Sequence, residues 1–193
     1  EDILDPTPKP VEVVIEVKAV GINFPDTLII EDRYQFRPER PFAPGGEVAG
    51  VIEAIGEGVK GLFKGDRVIA VPGWGGLVER IAVRADSVIR MPDAMSFQDG
   101  AALVLAYGTS YYALEDRAGL KTTETLLVLG AAGGVGAAAV ELGKAMGARV
   151  IAAASTNDKV QFALDLGADS GLIYPSGAMD RAAQKDLSGE LKL

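Results

Sequence analysis

The stretch from Thr125 to Val140 constrains the fold of this chain more than any other. An apolar run, Thr125–Leu129, leads directly into glycines at positions 130, 133, 134 and 136, and small residues with helical character follow. A strand that ends in a glycine turn and opens a helix is typical of a site for a dinucleotide pyrophosphate. The glycines let the backbone approach the phosphates, which meet free N–H groups and the positive end of the helix.

The spacing of these glycines differs from the usual fingerprint, because positions 130, 133 and 136 follow Gly-x-x-Gly-x-x-Gly. The alternative explanation is that they only let the helix pack closely on the strand. Their place at a strand-to-helix junction, with a second strand about 20 residues further on, favours nucleotide binding. The residues that we expect to contact the cofactor here are Gly130, Ala132, Gly133, Gly134, Val135 and Gly136.

The residues after the second predicted strand bear on the choice of cofactor. An NAD enzyme normally places Asp or Glu there to hold the ribose hydroxyls. This chain has Ser155 and Thr156 at that point and Lys159 just beyond, so we expect NADPH to bind beside these three residues. Asp158 counts against this interpretation, although a first-turn acid also stabilises a helix N-terminus by itself. Lys159 has the alternative of being a solvated helix residue.

Alternating strand and helix patterns run through the second half of the chain and predict a parallel, doubly wound α/β sheet. Only about half of such a fold is expected within this chain, since two similar halves are usual. The predicted strands are 125–130, 149–154 and 171–174, and the predicted helices are 134–146 and 157–166.

The first half has a different pattern, in which short apolar runs alternate with dense Gly and Pro turns. It predicts a compact, mostly antiparallel, barrel-like β domain. Helical spacing begins near Ser96 and again at Thr109, so we place the domains at 1–115 and 116–193. The predicted strands of the first domain are 11–18, 48–55, 67–71 and 77–83.

Composition excludes several kinds of chemistry. The 193 residues include no cysteine and no histidine, which removes disulfides, thiolate nucleophiles, Ser-His relays and the commonest zinc ligands. The net charge of −8 argues against nucleic acid or an anionic membrane as a partner. No membrane span or secretory signal is visible, so we expect a cytoplasmic protein.

Five segments of the chain share a family pattern: residues 21–27, 44–50, 65–68, 107–114 and 130–136. Taken together, they resemble the zinc-independent quinone oxidoreductases of the medium-chain dehydrogenase/reductase superfamily. The resemblance covers nearly the whole chain. In the zinc-dependent members a histidine ligand stands at the position of Gly46.

This resemblance implies an N-terminal GroES-like β-barrel domain followed by a Rossmann domain, a homodimer, and zinc-independent reduction of quinones or conjugated carbonyls by NADPH. It carries three predicted acceptor-site residues over to this chain: Asn23, Asp26 and Tyr34. Relatives also have further residues before and after the matching region, so we expect this chain to be a fragment or an incomplete record.

Some individual residues have more than one interpretation. Asn23 and Tyr34 are predicted to donate to the acceptor oxygen as hydride arrives, since negative charge develops there. Asn23 can instead cap a turn, and Tyr34 can be packed at the surface. Thr109 is predicted to reach the cofactor or to act as an N-cap. Glu47 is expected to be structural, paired with Arg67 or Lys64, because an unpaired buried carboxylate is costly.

Three functions remain open from the sequence. The first is NADPH-dependent reduction of a quinone or related conjugated carbonyl. The second is reduction of 2-alkenals or enoyl thioesters. The third is nucleotide binding without turnover.

Overall fold

The computed structural model describes residues 3–174 together with Lys185 and Gly189. These residues form two compact units, one up to Leu105 and one from Ala106. The domain boundary predicted after residue 115 stays a prediction, and the predicted second domain extends into the residues that are not described. The described residues contain no helix with the length and apolar character that a bilayer crossing requires.

The first unit is built on a five-stranded antiparallel sheet with the order β4-β1-β2-β3-β5. Two helices belong to this unit, α1 (Phe24–Ile30) and α2 (Phe97–Gly100). The antiparallel prediction is confirmed, although β5 was not predicted. The strands are β1 (Glu12–Gly21), β2 (Glu47–Ile55), β3 (Arg67–Ala70), β4 (Arg80–Arg84) and β5 (Val88–Arg90).

Strand β2, the middle strand of this sheet, is buried on both faces by two apolar clusters. Val48 and Ile52 pack into one apolar cluster with Ile15 of β1. Ala49, which points to the opposite face, packs into a second cluster with Ile69. Successive side chains of a strand point to opposite faces, so the continuous apolar run at 48–52 is what a central strand requires.

The register between β1 and β2 places the start of α1 beside a buried acid. Gly21, the last residue of β1, pairs with Glu47, the first residue of β2. A Cβ atom at Gly21 would lie 2.0 Å from the Ala101 carbonyl oxygen, so only glycine fits here. The chain then turns into α1 at Asn23, close to Glu47.

The second unit begins inside a helical segment, whose residues Val104 and Leu105 still belong to the first unit, and continues as alternating strands and helices. In the helical segment, π-helical turns (Val104–Gly108 and Tyr112–Arg117) flank the short helix α3 (Thr109–Tyr111). A parallel sheet of order β6-β7-β8 follows, as predicted. Its elements are β6 (Thr125–Leu129), α4 (Gly134–Ala145), β7 (Arg149–Ala154), α5 (Asn157–Asp165) and β8 (Ser170–Ile173).

The core of the second unit consists of small residues. Ala152 of β7 and Ala163 of α5 are fully buried with Val140 of α4 and Val150. Small side chains let both helices lie close to the sheet. This packing brings the N-termini of α4 and α5 to the carboxyl edge of the strands, which is where ligands bind in open α/β sheets.

Candidate functional site

The glycine turn after β6 presents free backbone donors at the start of α4. Gly130 has a positive φ of 66°, and its carbonyl accepts from the Gly133 N–H at 2.9 Å. Gly133 is the N-cap residue, and no side chain of the described residues caps the helix. The first N–H groups of a helix have no intrahelical partner, so those of Gly134, Val135 and Gly136 are available to an anion.

The glycines of this turn serve two different purposes. A Cβ at Gly136 would lie 2.3 Å from the Gly130 carbonyl oxygen, so this glycine is required for close packing of α4 on the turn. A Cβ at Gly134 would meet nothing within 4 Å. Packing therefore explains Gly136, whereas it does not explain Gly134.

A pocket of about 270 Å³ adjoins this turn at the carboxyl edge of the sheet. The Nζ atom of Lys159 lies 3.5 Å from the Ser155 hydroxyl oxygen. Among the described residues, no carboxylate lines the pocket, and the one charged side chain that does is a cation. The lining residues are Gly130, Ala132, Gly133, Ala154, Ser155, Lys159 and Tyr174.

Hydrogen bonds of the glycine turn, β7 and α5 hold the residues that line this pocket. Ala131 N–H donates to the Ala153 carbonyl at 3.1 Å, which ties the glycine turn to β7. The Thr156 hydroxyl caps α5 by accepting from the Lys159 N–H at 3.4 Å. Thr156 therefore has a structural role at this position, whereas Asp158 lies exposed in the first turn of α5.

Tyr174 lines the pocket and was not predicted. Its N–H donates to the Ala154 carbonyl at 3.0 Å, so it continues the pairing of β8 with β7. The sequence could have indicated Tyr174, because it is the last residue of the third predicted strand and the carboxyl ends of neighbouring parallel strands meet at one edge of the sheet. The residues predicted for this end of the pocket were those that follow the second strand only.

Thr109 is exposed, and it lies within helical backbone. The N-cap alternative for Thr109 is wrong, because Gly108 before it is already helical and the helical turns start at Val104. Its neighbour Ser110 is buried and donates to the Val135 carbonyl at 2.8 Å. This bond holds α3 against the glycine turn.

The predicted acceptor-site residues Asn23 and Asp26 are joined at the start of α1. The Asn23 N–H donates to Asp26 Oδ2 at 2.7 Å, and the Gly45 N–H donates to Asp26 Oδ1 at 3.0 Å. Asp26 is only 3% exposed. Because both of its oxygens accept from backbone groups, Asp26 positions α1 and the Gly45 turn and has no free donor to offer an acceptor.

Tyr34 lies in the loop after α1 and is half-buried. Its ring meets that of Phe36 edge to face, with 5.8 Å between the ring centroids. Asn23 and Tyr34 both belong to the first unit, and neither lines the nucleotide pocket.

Glu47 is fully buried, but its partners are not the predicted ones. Its Oε1 atom accepts from the backbone N–H of Val104 and of Leu105, while Oε2 has no partner among the described residues. Arg67 instead donates to the carbonyls of Asp93 and Met95. Burial raises the pKa of Glu47, and the two N–H groups and the Asn23 amide partly offset this increase.

Tyr107 donates its hydroxyl hydrogen to Glu141 of α4. This hydrogen bond raises the pKa of the Tyr107 hydroxyl, and desolvation and the Glu141 charge contribute in the same direction. The contact joins the helical segment to α4. Among the described residues, no three His, Cys, Asp or Glu side chains are grouped so as to hold a metal ion.

Comparisons with known proteins agree with this architecture. The alcohol dehydrogenase GroES-like domain family matches residues 9–93. Quinone oxidoreductase-like protein 2 of Bos taurus is 39% identical over 183 residues, which are 93% of this chain and 52% of that protein. Quinone oxidoreductase of Homo sapiens is 39% identical over 168 residues, or 86% of this chain and 51% of that protein.

A solved structure agrees over almost the whole chain. The crystal structure of Escherichia coli quinone oxidoreductase complexed with NADPH has a TM-score of 0.86 at 35% identity, and the match covers 98% of this chain and 58% of that one. This chain spans about half the length of the curated relatives that it matches.

A GroES-like domain followed by a parallel Rossmann sheet with a glycine turn defines a medium-chain dehydrogenase/reductase. Within that superfamily, the chain belongs to the quinone oxidoreductase family. The fold class and the family expected from the sequence are both confirmed.

Proposed function

We propose that this chain forms part of an NADPH-dependent, zinc-independent oxidoreductase that transfers hydride to a quinone or a related conjugated carbonyl. The observation that carries the proposal is the pocket of about 270 Å³ beside the glycine turn, with Lys159 as its charged side chain. The absence of cysteine and histidine from the sequence supports chemistry without zinc.

The groups at the pocket have the chemistry that the phosphates of NADPH require. The pyrophosphate would be held by the N–H groups at the start of α4. The 2′-phosphate would lie against Lys159 and Ser155, because a cation and a hydroxyl suit a phosphate and none of the described lining residues is a carboxylate that would repel it,. Tyr174 would border the same end of the cofactor.

When bound, NADPH supplies the hydride, and the protein orients the acceptor and stabilises developing charge. The Asn23 side chain is the proposed donor to the acceptor's carbonyl oxygen, and Asp26 holds Asn23 in place through the 2.7 Å backbone bond. Tyr34 is the second proposed donor. A neutral donor aimed at an oxygen that gains charge lowers the barrier.

The activity is tested by mixing the protein with a quinone and either reduced cofactor. We expect loss of the reduced-nicotinamide absorbance with NADPH and much slower loss with NADH, since NADH lacks the phosphate that Lys159 would bind. A panel of 2-alkenals and enoyl thioesters compares the alternative acceptors. Equal rates with NADH and NADPH would contradict the proposed cofactor, and binding of NADPH without turnover on any acceptor would contradict the proposed reaction.

A further inference from the structure

One carboxylate oxygen of Glu47, Oε2, has no hydrogen-bond partner among the described residues. The side chain is completely buried, and its other oxygen already accepts from the backbone N–H groups of Val104 and Leu105. A polar atom that loses water on burial and gains no donor costs free energy. Oε2 is therefore a position at which a donor is expected.

The Oε2 atom lies beside the end of β1, two residues before Asn23. Gly21 pairs with Glu47 between β1 and β2, and a Cβ atom at Gly21 would lie 3.3 Å from Glu47 Oε2. Burial raises the pKa of Glu47, and a hydrogen bond from the Asn23 side chain is among the effects that lower it. The Asn23 amide is thus close enough to supply the donor that Oε2 lacks.

The backbone of Asn23 is held independently of its side chain. The Asn23 N–H donates to Asp26 Oδ2 at 2.7 Å, and Asp26 is itself bound to the Gly45 N–H. These bonds fix where Asn23 lies, but they do not decide which side of its amide group faces the acceptor. The amide has an accepting oxygen and a donating NH2 group, and only the NH2 group can stabilise negative charge on the acceptor.

We infer that Glu47 orients the Asn23 side chain, so that one Nδ2 hydrogen is donated to Glu47 Oε2 and the other faces the carbonyl oxygen of the acceptor. This inference rests on the proposed function and adds Glu47 to the acceptor site as a positioning residue. An ionised carboxylate only accepts hydrogen bonds, so it selects the orientation with Nδ2 beside it. The reversed amide would turn its own oxygen toward both of these oxygens and would repel them.

Selective labelling of asparagine with 15N tests this contact, because the sequence has only two asparagines, Asn23 and Asn157. The side-chain NH2 signals of the full chain are followed by NMR as the pH is raised, without NADPH or acceptor. A charged carboxylate accepts a stronger hydrogen bond than a neutral acid does. We therefore expect an Asn23 side-chain proton to move downfield as Glu47 ionises, and we expect this movement to be lost in Glu47→Gln.

Asn157 is the internal control, since it lies exposed at the start of α5, and its signals should be the same in both proteins. Asp26 is the other acid that contacts Asn23. A titration of Asn23 that persists unchanged in Glu47→Gln would belong to Asp26 and would overturn the inference. Asn23 signals that do not titrate in the wild type would overturn it as well.

Quinone reduction provides a second readout. We expect Glu47→Gln to lower kcat about tenfold to a hundredfold with little change in the KM for NADPH, since a misdirected donor no longer stabilises the transition state. In the Asn23→Ala background the same substitution should have no further effect, because Glu47 acts through Asn23. An unchanged kcat, or an equal loss in both backgrounds, would contradict the positioning role.

The two measurements separate this inference from the proposed function. If the wild type oxidises no NADPH with any acceptor, the proposed function fails, and the NMR titration still decides whether Glu47 orients Asn23. If the protein is active and the Asn23 signals do not respond to Glu47, the proposed function stands and Glu47 has only a structural role.

Discussion

Glu47 is a fully buried carboxylic acid whose partners are backbone N–H groups. Removing the side chain would leave the N–H groups of Val104 and Leu105 unsatisfied inside the protein. We expect Glu47→Ala to lower the free energy of unfolding by about 1–3 kcal/mol. Glu47→Gln keeps an accepting carbonyl oxygen and should cost much less. Urea denaturation of both variants measures the difference.

The difference in stability between wild type and Glu47→Gln should depend on pH. Because burial raises the pKa of Glu47, the folded state holds this proton more tightly than the unfolded state does. The contribution of Glu47 to stability is therefore greatest below the ordinary pKa of a glutamic acid and is lost as pH rises through the raised value. The stability of Glu47→Gln relative to wild type should increase over that range. A difference that does not change with pH would mean that Glu47 is not the titrating group.

The contacts of Glu47 show how much of a single residue's environment can be predicted from the sequence. Its burial and structural role were predictable, because it precedes an apolar strand. Its contact with Val104 and Leu105 was not predictable, because these residues lie 57 and 58 positions away and offer backbone groups that every residue type shares. Lys159 and Ser155 could be predicted as pocket residues for the opposite reason. Their side chains differ from the acid that an NAD enzyme has at that place.

At the scale of elements, α4 can pack on the turn before it because residue 136 is a glycine and has no Cβ atom. A Cβ at Gly136 would lie 2.3 Å from the Gly130 carbonyl oxygen and 2.9 Å from the Ala131 Cα, so Gly136→Ala must move α4 or the turn. We expect a loss of about 1–3 kcal/mol of stability and weaker cofactor binding. Thermal unfolding and a cofactor titration measure the two effects.

Gly134→Ala is the matched control for stability, because a Cβ at Gly134 meets nothing within 4 Å. It should leave the melting temperature unchanged or slightly higher, since alanine favours helical backbone. Equal destabilisation by both substitutions would contradict close packing at Gly136 as the cause.

Elements with a strong local pattern were predictable, and those defined by long-range pairing were not. The bounds of β7 match the predicted strand 149–154, because an apolar run lies between a glycine and polar residues. The predicted helix 157–166 likewise ends one residue beyond α5. Strand β5 has only three residues and forms through pairing with β3. The helical start at Val104 was not predicted either, because the helical spacing in the sequence begins again only at Thr109.

At the scale of the whole molecule, the chain combines a net charge of −8 with a proposed anionic cofactor. The overall field repels such a ligand, so binding must depend on local donors: the N–H groups at the start of α4 and the ammonium group of Lys159. The expected homodimer and cytoplasmic location stay predictions, because composition and pattern do not define an interface or a compartment.

The most direct measurement is calorimetric titration of NADPH and NADH into wild type, Lys159→Glu and Lys121→Glu. The last variant makes the same change in net charge at a residue that does not line the pocket. We predict that Lys159→Glu weakens NADPH binding about tenfold to a hundredfold, as expected for loss of a charged hydrogen bond, and leaves NADH binding nearly unchanged. Lys121→Glu should have little effect on either. NADPH binding at this pocket is contradicted if wild type binds neither cofactor, or if Lys159→Glu leaves the ratio of the two affinities unchanged.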